Sequence, residues 1–175
     1  MDVIQAITSR RSIRKFKALA VSDESIETIL RAAMQAPSAH NMQPWHFVVI
    51  RMHEILSTIA DFHPYAEMLH EAPLAIAVCG DCQIESNEGY IALDCAAATQ
   101  NILLTAKALD LGSVWLGLYP RTDRMNELKK LIELPEQIIP ISLVAIGYPN
   151  EQKHPVDRYQ PDRVHFNKFS KIQLK

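Results

Sequence analysis

Glycine is scarce in this chain, with five among 175 residues, at positions 80, 89, 112, 117 and 147. With glycines at those spacings neither GxGxxG nor GxxxxGK[ST] can be written, so Rossmann-type and P-loop nucleotide binding have no carrier. Cysteine is scarce as well. Cys79, Cys82 and Cys95 are too few, and odd in number, for a disulfide framework, which agrees with a reducing compartment. The CxxC of Cys79 and Cys82 finds no second CxxC or HxxxH at metal-site spacing, so Cys79 reads as a small strand hydrophobe. No GxSxG nucleophile motif occurs either. No apolar run reaches the roughly 18 residues a spanning helix needs, and "MDVIQAITSRR" at the N-terminus lacks a secretory apolar region. The expectation is a cytoplasmic protein with no membrane partner. A formal net charge of -2 and a pI near 6.4 provide no overall positive field. Nucleic acid is therefore not an expected partner, and any anion site must be local.

What is present is ordinary for a soluble globular protein: 48% hydrophobic and 22% charged residues. The length suits one domain over residues 1–175, in which the proline-bearing, polar stretch 150–175 reads as an extended tail. Asp2 can cap a short helix over residues 2–10 with Ile4 and Ile7 three apart. Ser22 or Asp23 can cap a second, with Ile26, Ile29, Leu30, Ala33 and Met34 on one face and Pro37 as its stop. "HFVVI", "APLAIAVCG", "SVWLGLYP" and residues 138–147, begun by Pro140, read as strands. "EILSTIADF" and "RTDRMNELKKLIEL" read as helices. Residues 91–111 form a long helix with apolar residues on nearly every face, closed by Gly112 as its C-cap. A chain of this size has little core to surround such a helix. Part of it is therefore expected to face a second copy of the chain in a homodimer.

The feature that opposes the average charge is "SRRSIRKF" and its flank. Arg10, Arg11, Arg14, Lys15 and Lys17 fall within eight residues, with the hydroxyl of Ser12 among them. Arginine's planar fork meets phosphate oxygens in pairs and keeps its charge at every accessible pH, so adjacent arginines suit a phosphate monoester. A solvated helix end would look the same in sequence. Seven histidines, His46, His53, His63 and His70 among them, are scattered without paired spacing and read as surface or satisfied core residues.

Taken together and in order, "RRSIRKF", "APSAHNMQPWHFVVI", "ALDCAAATQNILLTAKALDLGSVWLG" and "IGYP", over residues 10–149, resemble the FMN-dependent nitroreductase family. The resemblance implies an α+β fold, a central mostly antiparallel sheet flanked by helices, in an intertwined dimer with FMN at the interface. It implies that Arg10 and Arg11 hold the FMN phosphate, that Ser12 bonds near the ribityl chain, and that Arg14 approaches the N1 and C2 carbonyl side of the flavin. Pro37, Ser38, Ala39, Asn41 and Gln43 would line the flavin from the partner chain. Leu116 and Gly117 would run beside the ring near N5, and Arg158 would add a phosphate contact, with Arg163 as its competitor. The activity implied is hydride transfer from NADH or NADPH through flavin N5 to a small-molecule acceptor such as a nitroaromatic or quinone, in ping-pong fashion, with no protein acid, base or nucleophile. Two departures are visible. "YAEMLHEAP" has no lysine where some members place one, and "WLGLY" has no glutamate beside its glycine. Specialised flavin chemistry, such as dehalogenation or ring oxidation, and a non-catalytic flavin- or phosphate-binding module, RNA included, stand as alternatives.

Overall fold

The computed structural model describes residues 1–169 and arranges five α-helices about a four-stranded sheet. Helix α1 spans Val3–Ser9 and starts where Asp2 Oδ1 accepts the Gln5 amide at 2.8 Å. Helix α2 spans Asp23–Ala33, capped by Ser22, whose hydroxyl accepts the Ser25 amide at 3.2 Å. Helix α3 spans His53–Phe62 and α5 spans Thr122–Leu131. Helix α4 spans Glu88–Ala108 and is capped by Asn87, which accepts from Gly89 and Tyr90. It therefore starts and stops three residues before the limits read from its apolar pattern. Gly112 is not its C-cap. The left-handed turn falls on Asp110 (φ 57°), a residue type that tolerates that region, and the Leu111 amide closes onto the Ala106 carbonyl at 2.9 Å. Gly112 instead opens β3, where an added Cβ would stand 2.8 Å from Ile13 Cγ2. Packing, and not chain reversal, requires that glycine.

Strands β1 (Trp45–Ile50), β2 (Leu74–Asp81), β3 (Gly112–Gly117) and β4 (Ile138–Gly147) lie in the order β1-β2-β4-β3, every pair antiparallel. The unbroken apolar run of β2 follows from its position, because helices cover both faces of the sheet. Leu74, Ile76 and Val78 pack with α2 and α4, while Ala75, Ala77 and Cys79 pack with α3 and α5. Cys79 is thus a core strand residue. Pro140 does not begin β4 but sits third in it, opposite Cys79, where the β2–β4 register shifts. The β3–β4 ladder ends at Gly117 and Ser142, so β4 at Pro140 projects beyond β3 and no partner on that side needs its missing N–H. A buried hydroxyl pair, Thr99 and Ser142 at 2.7 Å, ties α4 to the sheet.

Within the single chain α4 is not buried all round. Ile91, Cys95, Ala98, Ile102 and Ala106 form its covered stripe, whereas Leu93 is 67% exposed and Tyr90 43%. The apolar side of α1 is likewise uncovered, with Ile4 and Ile7 exposed and only Ala6 buried. Beyond β4 the described chain runs without regular structure except a 3-10 turn at Pro161–Arg163. Residues 170–175 of the expected tail lie outside the described part. Among the described residues no helix is long and apolar enough to cross a membrane.

Candidate functional site

The basic segment leaves α1 at Arg10, its C-cap, and is stitched into the fold at once. Ser12 bridges to Ser113 at the start of β3, the Ile13 amide donates to the Ser113 carbonyl at 3.0 Å, and the Lys17 amide donates to Tyr148 at 2.9 Å. The Asn150 amide returns to Lys15 at 2.8 Å, which lays the first residues of the tail beside the segment. Arg10, Arg11 and Arg158 consequently line one cavity of about 570 Å³, with Gln100 of α4. Arg163 does not line it. Among the described residues none of Arg10, Arg11, Arg14 and Arg158 forms an ion pair, although five such pairs occur elsewhere. The Arg10 guanidinium is held below its ordinary pKa, first by burial and then by the like charges of Arg158 and Arg11. Asp157 also lines the cavity, but it forms no ion pair with any of these arginines, so their like charges stand together unpaired.

The three arginines differ in what they have left to give. Arg11 donates through Nε to His154 (3.0 Å), through Nη1 to Thr8 (3.0 Å) and Arg10 (2.5 Å), and through Nη2 to Val156 (3.3 Å), all carbonyls. Four of the five N–H groups of a guanidinium are then committed. Arg11 straps the tail to the end of α1, and that strap is what brings Arg158 up to Arg10. Ser12 offers its hydroxyl, free of hydrogen bonds among the described residues, while its carbonyl accepts from Lys153 Nζ at 2.7 Å.

A second cavity, of about 410 Å³, brings Arg14 together with Leu116 and Gly117, walled by His63, Tyr65, Met68 and Trp115. Leu116 is buried, but a Cβ built on Gly117 would meet nothing within 4 Å, so the backbone at the end of β3 faces open space. Arg14 is held by its backbone: its amide donates to Glu151 Oε1 at 2.5 Å, which is the first cause of a carboxyl pKa below its ordinary value, with Lys153 adding to the effect.

Residues 37–43 line neither of these cavities. They form a strained loop in which His40 (φ 50°), Asn41 (φ 57°) and Gln43 (φ 51°) are all left-handed without being glycine. Asp94 of α4 accepts the Ala39 amide at 3.0 Å, Ser38 Oγ accepts the Gln43 amide at 3.0 Å, and Asn41 Oδ1 accepts from Gln43 Nε2 at 3.1 Å. Pro37, Asn41 and Gln43 remain exposed. Within one chain, Arg10, Arg11 and Arg158 meet, and Arg14 meets Leu116 and Gly117, while the loop stands apart from both groups.

Sequence reasoning misses four participants: His63, Arg124, Glu151 and Lys153. His63, Glu151 and Lys153 reach the site across 54, 137 and 141 residues of chain, and Arg124 turns back seven residues onto Gly117 from the start of α5. His63 is one of the satisfied core histidines, 1% exposed, but its partner is a site residue, with Nε2 3.0 Å from the Gly117 carbonyl.

An antiparallel sheet covered by helices on both faces defines an α+β domain, in which Arg10, Arg11 and Arg158 line one cavity and Arg14, Leu116 and Gly117 another. The nitroreductase family model matches residues 7–72 and 61–148, and the chain belongs to that family. It is 47% identical over 169 residues to a Methanothermobacter thermautotrophicus protein described as "Putative NADH dehydrogenase/NAD(P)H nitroreductase", across 97% of this chain and 88% of that one. Among solved structures it is similar to an FMN-dependent nitroreductase from Clostridium difficile, with TM-score 0.88 and 30% identity over 95% of this chain and 99% of the other. It is also similar to the NADPH:FMN oxidoreductase of Vibrio harveyi complexed with NAD+, with TM-score 0.86 and 25% identity over 98% of this chain and 79% of the other.

Proposed function

We propose that this chain is an FMN-dependent NAD(P)H oxidoreductase, one domain per protomer, working as a homodimer on a small-molecule acceptor of the nitroaromatic or quinone class. The observation that carries the reading is the convergence of Arg10 and Arg158 in one cavity, where neither forms an ion pair although Asp157 lies in the same lining. The names of the relatives support the flavin and the nicotinamide donor. FMN, when bound, supplies the ring that accepts a hydride and hands electrons on in a ping-pong sequence.

The chain's own residues fit that group. Arg10 and Arg158 hold the phosphate, with the last free N–H of Arg11 as a supplementary donor, and the Ser12 hydroxyl bonds near the ribityl chain. Arg14 offers a fixed positive charge to the pyrimidine side of the ring, where a cation favours the reduced, anionic form over the oxidised one. The open backbone at Leu116 and Gly117 lets the ring come close, since no side chain at 117 intervenes. Pro37, Ser38, Ala39, Asn41 and Gln43 serve the partner's flavin, which is why their own chain leaves them apart from its arginines. The uncovered faces of α1 and α4, with Ile4, Ile7 and Leu93, support the dimer.

The test is the visible spectrum of the purified protein, taken again after anaerobic NADH and NADPH. A flavin band that bleaches with one nicotinamide and returns on adding a quinone supports the reading and identifies the donor. A colourless protein that takes up no added FMN refutes it, as does a monomer in sedimentation for the dimer.

A further inference from the structure

The last residue of β3 is secured from outside its own sheet. The Gly117 carbonyl accepts from His63 Nε2 at 3.0 Å and from Arg124 Nη1 at 3.3 Å, which fills both lone pairs of that oxygen with side-chain donors. His63 sits at the C-terminus of α3 and Arg124 in the first turns of α5, so two helices meet on one peptide group. The imidazole is locked. The Tyr65 amide donates to Nδ1 at 3.3 Å, so Nδ1 is the acceptor and Nε2 carries the proton that goes to Gly117. Arg124 is held over the Tyr65 ring, 5.6 Å from its centroid.

The sheet alone would leave this strand end loose. Past Gly117 the amides of Leu118 and Tyr119 share a single acceptor, the Ile141 carbonyl, at 3.3 and 3.0 Å, and nothing packs on the open side of Gly117. We propose that His63 and Arg124 are positioning residues that clamp the Gly117 carbonyl and thereby set the Leu116–Gly117 backbone for hydride transfer. The proposal rests on the flavin reading above and assigns the two side chains a role within it. Neither acts on the reacting atoms. Their contribution is orientation, and a small misplacement of a reacting pair costs up to about a hundredfold in rate.

The experiment uses protein labelled with 13C at the glycine carbonyl, which has only five such signals, with Gly117 assigned by its loss in G117A. In apo protein His63→Ala and Arg124→Met each move the Gly117 carbonyl resonance upfield as a donor is lost. In FMN-loaded protein both variants keep FMN affinity within about threefold, while anaerobic flavin reduction by NAD(P)H slows by about ten- to a hundredfold. His63→Gln, whose amide nitrogen reaches the same place, restores most of the rate. An unmoved carbonyl signal overturns the clamp, and a wild-type reduction rate in both variants overturns its role. Should His63→Ala fail to fold, Arg124→Met decides, because Arg124 is only half-buried. Wild-type protein that takes up no FMN refutes the flavin reading and this role with it, while the carbonyl shift still reports whether the clamp exists.

Discussion

Replacing Arg10 by methionine separates a binding residue from a structural one. Methionine keeps an unbranched apolar stem and removes only the guanidinium. In the free protein that guanidinium has no carboxylate partner and is repelled by Arg158 and Arg11, so its removal relieves strain. The apo protein should therefore melt at the same temperature or higher. With FMN the sign reverses. A charge-assisted hydrogen bond contributes about 1.5–3 kcal/mol, and at 1.4 kcal/mol per tenfold its loss weakens FMN by about ten- to a hundredfold. At a fixed FMN concentration far above both dissociation constants, the holo protein should then lose about the same 1.4–2.8 kcal/mol of ligand-derived stability. Quenching of flavin fluorescence measures the affinity, and thermal melts with and without FMN measure the two stabilities. An R10M protein that binds FMN like wild type would place the phosphate elsewhere, and a large loss of apo stability would make Arg10 a scaffold residue. Arg11→Met should behave in the opposite way: it breaks two bonds to the tail carbonyls of His154 and Val156 and two to the end of α1 at Thr8 and Arg10, so tail protection from proteolysis falls in the apo protein.

Other expectations concern the scaffold around the site. Gly80→Ala would set a Cβ 2.0 Å from Ile91 Cγ2, and a β-branched side chain in a helix has little rotamer freedom with which to retreat. Overpacking of this kind costs about 1–3 kcal/mol, and an unchanged melting temperature would refute the fit of α4 against β2. Burial pushes the thiols of Cys79 and Cys95 up to about 12, so iodoacetamide at pH 8 should leave both unmodified in the native protein, and their rapid alkylation would contradict the packing. Glu151 has a folded pKa below its ordinary value, so the contact with the Arg14 amide stabilises the fold above the ordinary carboxylate range and is lost as pH falls through the lowered folded value. Glu151→Gln should abolish that acid-side loss in melts taken across pH, and an unaltered profile would show that Glu151 does not hold Arg14 in place.

Local chemistry makes some of this legible in the residue order alone. The capping of α1 by Asp2 and α2 by Ser22 depends on a side chain and an amide three residues apart, so the chain states it directly. The strands of the sheet follow from short apolar runs, and the arginine cluster from plain adjacency. Other features look local and are not. Gly112 has the appearance of a helix stop, yet the stop falls on Asp110, and the glycine makes room for Ile13 from a segment about a hundred residues earlier. Pro140 has the appearance of a strand start, but only the stagger of β3 against β4 shows why a proline can sit inside.

Residue order alone points to a phosphate-type anion, because charge and hydroxyl stand side by side in "RRSIRKF". How the labour is divided among those cations depends on the folded chain. Arg11 turns back onto the tail at His154 and Val156, and by doing so brings Arg158 to Arg10 across some 150 residues of chain. His63 becomes a neighbour of Gly117, 54 residues later, only because α3 packs on the same face of the sheet as α5, whose Arg124 turns back seven residues to the same carbonyl. A contact between residues far apart in the chain leaves no periodic trace in either segment, whereas a cap, an apolar stripe or a run of charge is written within a few residues of itself.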